Sequence, residues 1–154
     1  MYSSHHYPNP GALLPPQAWG AGIGVDLAFD GSTYRTYDAQ DVAGIAFWVR
    51  SDIFKGYEVR INTTDTTPIK YGGTCPRDYC GRFARSFQFH SEWTQEFVPF
   101  SKLVGLSDTG ALIDFHPERL TNIQFFFVRY PTDSYDGEIW LDDLRFTPTS
   151  PPQP

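Results

Sequence analysis

The strongest constraint on this chain is a period of two. In GIAFWVR, Ile45, Phe47 and Val49 fall on one side and Ala46, Trp48 and Arg50 on the other. That is the spacing of a strand with one buried face. YEVRIN repeats it, with Tyr57, Val59 and Ile61 against Glu58, Arg60 and Asn62. RFARSFQFH directs Phe83, Phe87 and Phe89 inward and Ser86, Gln88 and His90 outward. NIQFFFVRY is apolar on both sides, Ile123, Phe125 and Phe127 alternating with Gln124, Phe126 and Val128. WTQEFVPF adds a strand that Pro99 assigns to an edge or a bulge, and EIWLDDLRF is the last. No window carries an apolar helical stripe with caps at both ends. Six or more strands joined by long irregular loops predict an all-β fold, a two-sheet antiparallel sandwich of jelly-roll type.

The length, 154 residues, suits one domain with a single core. Residues 1–24, rich in Pro, Gly and Ser, read as an irregular arm with room for one short strand; residues 25–147 read as the sandwich. Residues 148–154 read as the stub of an extended linker, because Pro removes donors and fixes φ. A formal charge of -6 leaves no broad basic field, so nucleic acid is not an expected partner. No apolar run reaches membrane-spanning length, so no membrane is expected either. The start, MYSSHHYPNPGALLPPQAW, lacks the pattern of an export signal. Cys75 and Cys80 bracket four residues in GGTCPRDYCG, a loop that a disulfide closes if the turn brings the two backbones together. Zinc would need two further ligands, and His90 is the only histidine near in sequence.

The outward sets hold residues unusual for a merely solvated face: Trp48, Arg50, Arg60, Asn62, His90, Gln124 and Phe126. Aromatic faces beside planar polar groups suit a sugar, whose C–H groups stack on rings while its hydroxyls bond to Arg, Asn and Gln. The opposing reading is a minor core beneath a loop. From the strands, Trp48, Arg60, Asn62, Gln124 and Phe126 are the expected ligand-binding residues; Tyr79, Arg129 and Tyr130 join them from loops at the sandwich ends.

Catalysis finds less support. No nucleophile elbow is present; His5 and His6 sit in the irregular arm and read as solvated, and His116, before Pro117 in a loop, has no partner at metal-ligand spacing. Asp142 and Asp143, adjacent on one strand, point to opposite faces and cannot flank a glycosidic bond together. Strand parity aligns Asp142 with Trp140, Leu144 and Phe146, and Asp143 with Ile139, Leu141 and Arg145. If Leu144 and Phe146 face the core, Asp142 does too, where it needs a cation such as calcium or several amide donors.

The segments YDAQDVAGIAFWVRSD, YEVRIN, EWTQEFVPFSKL, ERLTNIQFFF and GEIWLDDLRF, in that order, resemble the family 11 carbohydrate-binding modules and their galactose-binding-like jelly-roll relatives. The likeness runs from about Tyr37 to Phe146, and W-x4-VPF followed by the L-D-D-L strand is its most specific part. WGAGIGVDL followed by GIAFWVR also resembles single jelly-roll domains of secreted bacterial proteins. The resemblance implies a non-catalytic module of plant-cell-wall hydrolases that binds one β-glucan chain on a concave sheet. It assigns groove positions to Thr121, Asn122, Gln124 and Phe127, and calcium association to Asp142. The loop KLVGLSDTGALIDF lacks the Arg and Tyr of the family, and the N-terminal strand region that completes its calcium site has no counterpart before Trp19.

The expected function is polysaccharide binding, β-glucan foremost, by a secreted or extracellular domain tethered to a catalytic partner, with calcium as the one cofactor to consider. The alternatives are an assembly domain of the complex I intermediate-associated type, which a disulfide disfavours, and a small polysaccharide-active enzyme.

Overall fold

The computed structural model describes residues 21–52, 56–127 and 138–148. Eight strands form two antiparallel sheets. Strands β1 (Ala21–Asp26), β7 (Leu120–Phe127), β3 (Tyr57–Thr63), β4 (Arg82–Phe87) and β6 (Val104–Leu106) make a five-stranded sheet in that spatial order. Strands β5 (Thr94–Pro99), β2 (Gly44–Ser51) and β8 (Ile139–Thr147) make the other. Among the described residues the only helices are single 3-10 turns, such as Ile69–Tyr71. Pro99 ends an edge strand, where its missing donor costs no ladder bond. Strand β1, from Ala21, is a short strand that begins within the segment read as the N-terminal arm; Gly22 and Gly24 hide the alternation there.

The inward sets meet between the sheets. Ile45, Phe47, Val49, Val59, Ile61, Ile123 and Phe125 are buried completely or nearly so. Phe47 is the hub, with its ring edge-on to Phe125 at 4.9 Å, Phe87 at 6.2 Å and Tyr57 at 6.3 Å. Burying a ring of this size contributes roughly 1.5–3 kcal/mol. One carboxylate intrudes at the margin of this layer: Glu96, paired across the ladder with Phe47, stands 3.6 Å from His90. Burial raises the Glu96 carboxyl above the ordinary carboxylate value, and His90 and Arg85 pull the other way. A raised folded-state value means the folded chain holds the proton more tightly, so the contribution of Glu96 to stability falls as pH rises above about 4.5. Glu96→Gln is therefore expected to melt higher than wild type at neutral pH and together with it at about pH 4. Equal melting at both pH values would place Glu96 in water.

Among the described strands parity breaks twice, once where β3 meets β7 between Asn62 and Thr63 and once on strand β8. Ala46 pairs with Arg145 and Trp48 with Asp142, so β8 spends three steps where β2 spends two. This is a β-bulge, and Asp143 occupies it with φ 50°. The bulge turns Leu144 and Phe146 back to the core side, where both pack against it, and leaves Asp142 exposed on the outer face. The parity reading that carried Asp142 inward with Leu144 and Phe146 is thus overturned. Asp tolerates the left-handed region better than most residues, and Gly does so freely. Asp143→Gly should be neutral or stabilising by up to about 1 kcal/mol, and Asp143→Val should destabilise by about 1–2 kcal/mol in urea melts. A valine variant as stable as wild type would mean that the bulge relocates.

Candidate functional site

The outward residues of the five-stranded sheet lie level across the strands. Asp26, Asn122 and Asn62 form one rung; Gly24, Gln124, Arg60 and Ala84 form the next; Gly22, Phe126, Glu58 and Ser86 form a third. The β1 positions in the last two rungs are glycines, so no side chain from that edge covers Gln124 or Phe126. A β-carbon at Gly24 would already stand 3.7 Å from Gln124 Cγ.

Each polar group on this floor is held differently. Asn62 Nδ2 donates to Asn122 Oδ1 at 2.7 Å, bonding the two central strands through their side chains. The Arg60 guanidinium lies over the Phe126 ring, 3.8 Å from its centroid, while Arg60 Nε donates to Glu58 Oε1. Arg82 Nε stands 3.1 Å from the same oxygen. A stacked, planar guanidinium so braced keeps its remaining N–H edges directed sideways at little entropic cost. The Gln124 amide makes no hydrogen bond with the described residues and presents both a donor and an acceptor to the groove.

Two loops raise walls on this floor. In the first, Asp30 Oδ1 accepts the backbone N–H of Thr33 at 2.9 Å and of Ser32 at 3.0 Å and the Ser32 hydroxyl at 2.8 Å. These bonds, the Thr33 amide foremost, hold its carboxyl well below the usual carboxylate range. The turn delivers Tyr34, whose backbone N–H donates to Tyr71 O at 2.8 Å. Burial raises the Tyr34 hydroxyl above its ordinary value, the Asp26 charge adds to this, and a hydrogen bond with Asn122 opposes it. The second wall is the segment 64–81. Its base is a buried knot of threonines: Thr67 Oγ1 donates to Thr63 O at 2.8 Å and meets Thr121 Oγ1 at 2.9 Å, and Thr66 Oγ1 donates to Thr63 O at 3.2 Å. The chain then folds so tightly that a β-carbon on Gly73 would lie 1.8 Å from Thr67 O. A disulfide between Cys75 and Cys80, with Cα atoms 5.7 Å apart, closes the wall. Tyr79 stands inside that closure, and its hydroxyl accepts from Arg82 Nη1 at 3.2 Å.

The result is an open hollow of about 260 Å³ lined by Tyr34, Tyr71 and Tyr79 on its walls and by Arg60, Asn62, Asn122 and Gln124 on its floor. Tyr71 and Tyr79 are close to half exposed. A second hollow of about 270 Å³ lies over β4 and β6, and Arg82 lines both.

Arg60, Asn62, Tyr79, Asn122, Gln124 and Phe126, all expected at the site, come together on this face. Phe126 supports Arg60 from beneath. Trp48 does not join them: it lies on β2 in the other sheet, and its ring opens on the opposite outer face. Of the seven outward residues read as one set, Arg60, Asn62, Gln124 and Phe126 share this face, Trp48 and Arg50 lie on the outer face of the other sheet, and His90 stands beside Glu96 in the loop after β4, because alternation tells inside from outside but not one sheet from the other. Phe127, placed in the groove by resemblance, has the opposite parity, and Thr121, placed there too, lies at the register shift between β3 and β7. Thr121 is fully buried, and the Phe127 ring packs 6.0 Å from Phe89 on the core side. Arg129 and Tyr130 lie outside the described residues. Tyr34, Tyr71, Asp26 and Arg82 were not foreseen. Arg82 was within reach, being in phase with outward Ser86.

Asp142 Oδ1 accepts the Asp143 amide at 2.9 Å, and no group of three or more His, Cys, Asp or Glu that could hold a metal ion occurs among the described residues.

No protein-family model matches this chain, and no curated protein matches it. Solved structures do. The family 11 carbohydrate-binding module from Clostridium thermocellum in complex with a β-1,3-1,4-mixed-linked tetrasaccharide aligns with a TM-score of 0.54 at 12% identity, covering 83% of each chain. The family 11 module of the cellulosomal cellulase Lic26A-Cel5E of the same organism aligns with a TM-score of 0.53, also at 12% identity, covering 83% of this chain and 82% of that one. At such identity the likeness is one of fold.

Proposed function

We propose that this domain binds a polysaccharide chain, a β-glucan, in the groove of the five-stranded sheet and performs no chemistry on it. One observation carries the reading: three tyrosines and four planar polar side chains converge on one open hollow of the sheet. Sugar C–H faces stack on tyrosine rings, and ring hydroxyls pair with the free edges of Arg60, Gln124 and the two asparagines. The solved modules of this fold support the ligand class, since one holds a β-1,3-1,4-linked tetrasaccharide.

Of the carboxylates at the groove, Asp78 on the wall is paired with Lys70, and Asp26 and Glu58 are poorly placed to hydrolyse a bond together. Asp26 is level with Asn62, whereas Glu58 is four residues away on β3 and two strands from β1. Their backbones are thus about 16 Å apart, from about 13 Å along the strand and 10 Å across. Glycosidases hold their two carboxyl groups about 5–10 Å apart. Glu58 Oε1 is moreover engaged by two guanidinium groups. The disulfide supports an oxidising, extracellular setting and disfavours an intracellular assembly role. The Pro-rich composition of TPTSPPQP supports a tether to a catalytic domain, which raises that enzyme's effective concentration on its substrate.

Affinity electrophoresis against mixed-linkage β-glucan, xylan and mannan tests the proposal. Retardation by the β-glucan is the expected result; free migration in all three gels would overturn it.

A further inference from the structure

The outer face of the three-stranded sheet is built as a second site. Every described tryptophan lies there. Trp48 is central on β2, Trp140 pairs with Arg50 across β8, and Trp93 lies one residue before β5, in phase with Gln95, the partner of Trp48. The Arg50 guanidinium sits between two of the indoles, 4.1 Å from the Trp140 centroid and 5.7 Å from that of Trp93. Trp48 and Trp93 remain 37% and 40% exposed. The neighbouring carboxylates are engaged elsewhere: Asp143 Oδ2 with Arg145, Asp142 Oδ1 with the Asp143 amide, Asp52 Oδ1 with the Glu138 amide. Arg50 makes no ion pair with the described residues. A guanidinium stacked on an indole holds its N–H fork parallel to the ring and directed sideways, where it can take a carboxylate by two parallel bonds.

We propose that this face binds an acidic glycan, one uronate carboxylate on Arg50 and the adjoining pyranose faces on Trp93 and Trp48. Charge selects the occupant: Arg145 on the same face is paired with Asp143, whereas Arg50 is a cation framed by ring faces and complements a sugar that carries an anion. A lipid surface or a second copy of the chain would have to desolvate Asp142 and Gln95, which lie level with Trp48. The site lies on the opposite side of the sandwich from the groove and stands independently of it.

Calorimetric titration of the full chain with a short oligogalacturonate and with its methyl ester tests this. The free acid should bind, the ester tenfold or more weaker, and added salt should weaken the acid. Arg50→Gln and Trp93→Ala should each lose tenfold or more. Arg50→Lys, which keeps the charge and the fold but not the stacked fork, should lose nearly as much. Arg60→Ala should bind the acid like wild type, while neutral β-glucan reports on the groove separately. No binding by wild type, equal binding of acid and ester, loss caused by Arg60→Ala instead, or a concentration-dependent dimer covering Trp48 would each overturn the proposal.

Discussion

Arg60→Lys is expected to bind β-glucan about as poorly as Arg60→Ala, at least tenfold weaker than wild type. The guanidinium is fixed on two sides, by the Phe126 ring beneath it and by the Glu58 carboxylate at Nε. What remains free is a planar edge with known direction, and a hydrogen bond from a charged donor of this kind contributes about 1.5–3 kcal/mol. Lysine restores the charge without the plane, so it neither stacks nor holds its donors in register. Both variants should fold, since Glu58 keeps Arg82 as a partner. If the lysine variant binds like wild type, the groove reads charge alone and the stacked geometry is incidental.

Breaking the Cys75–Cys80 bridge should have the next largest effect, and on two observables. A bridge across so short a loop stabilises by about 2 kcal/mol in the chain-entropy model. It also holds Tyr79 opposite Arg82 and ties the end of the wall to Cys75, which is buried and whose N–H donates to Thr67 O at 3.0 Å. The double variant Cys75→Ser, Cys80→Ser is expected to melt lower and to lose several-fold in glycan affinity, and reduction of the wild-type protein should reproduce both changes. Binding that survives unaltered would remove the wall from the site and leave the floor residues to account for affinity alone.

The strands were legible because their signal is local. Ile45, Phe47 and Val49, or Tyr57, Val59 and Ile61, declare a buried face within seven residues, and the packed sheets honour every one of them. Which sheet a strand joins is decided by partners far away in sequence, and there the reading failed: Trp48 and Arg60 share outward parity yet occupy opposite faces. The bulge at Asp143 was hidden for a related reason. Nothing in WLDDLRF departs from a regular strand, and only pairing with β2 reveals the extra residue. Phe127 teaches the converse, since position within a resembling segment placed it in the groove while its own alternation with Gln124 and Phe126 kept it in the core. Tyr34 and Tyr71 had no period to betray them. They are delivered by the Asp30 turn and the threonine knot, devices visible only once the loops are folded.

The most direct measurement is amide chemical-shift mapping of the full chain titrated with a β-1,3-1,4-linked tetrasaccharide. Binding in the groove predicts saturable shifts at Tyr34, Arg60, Asn62, Tyr71, Tyr79 and Gln124, with Trp48 and Val49 still. Shifts confined to the Trp48 face, or none at saturating ligand, would contradict it.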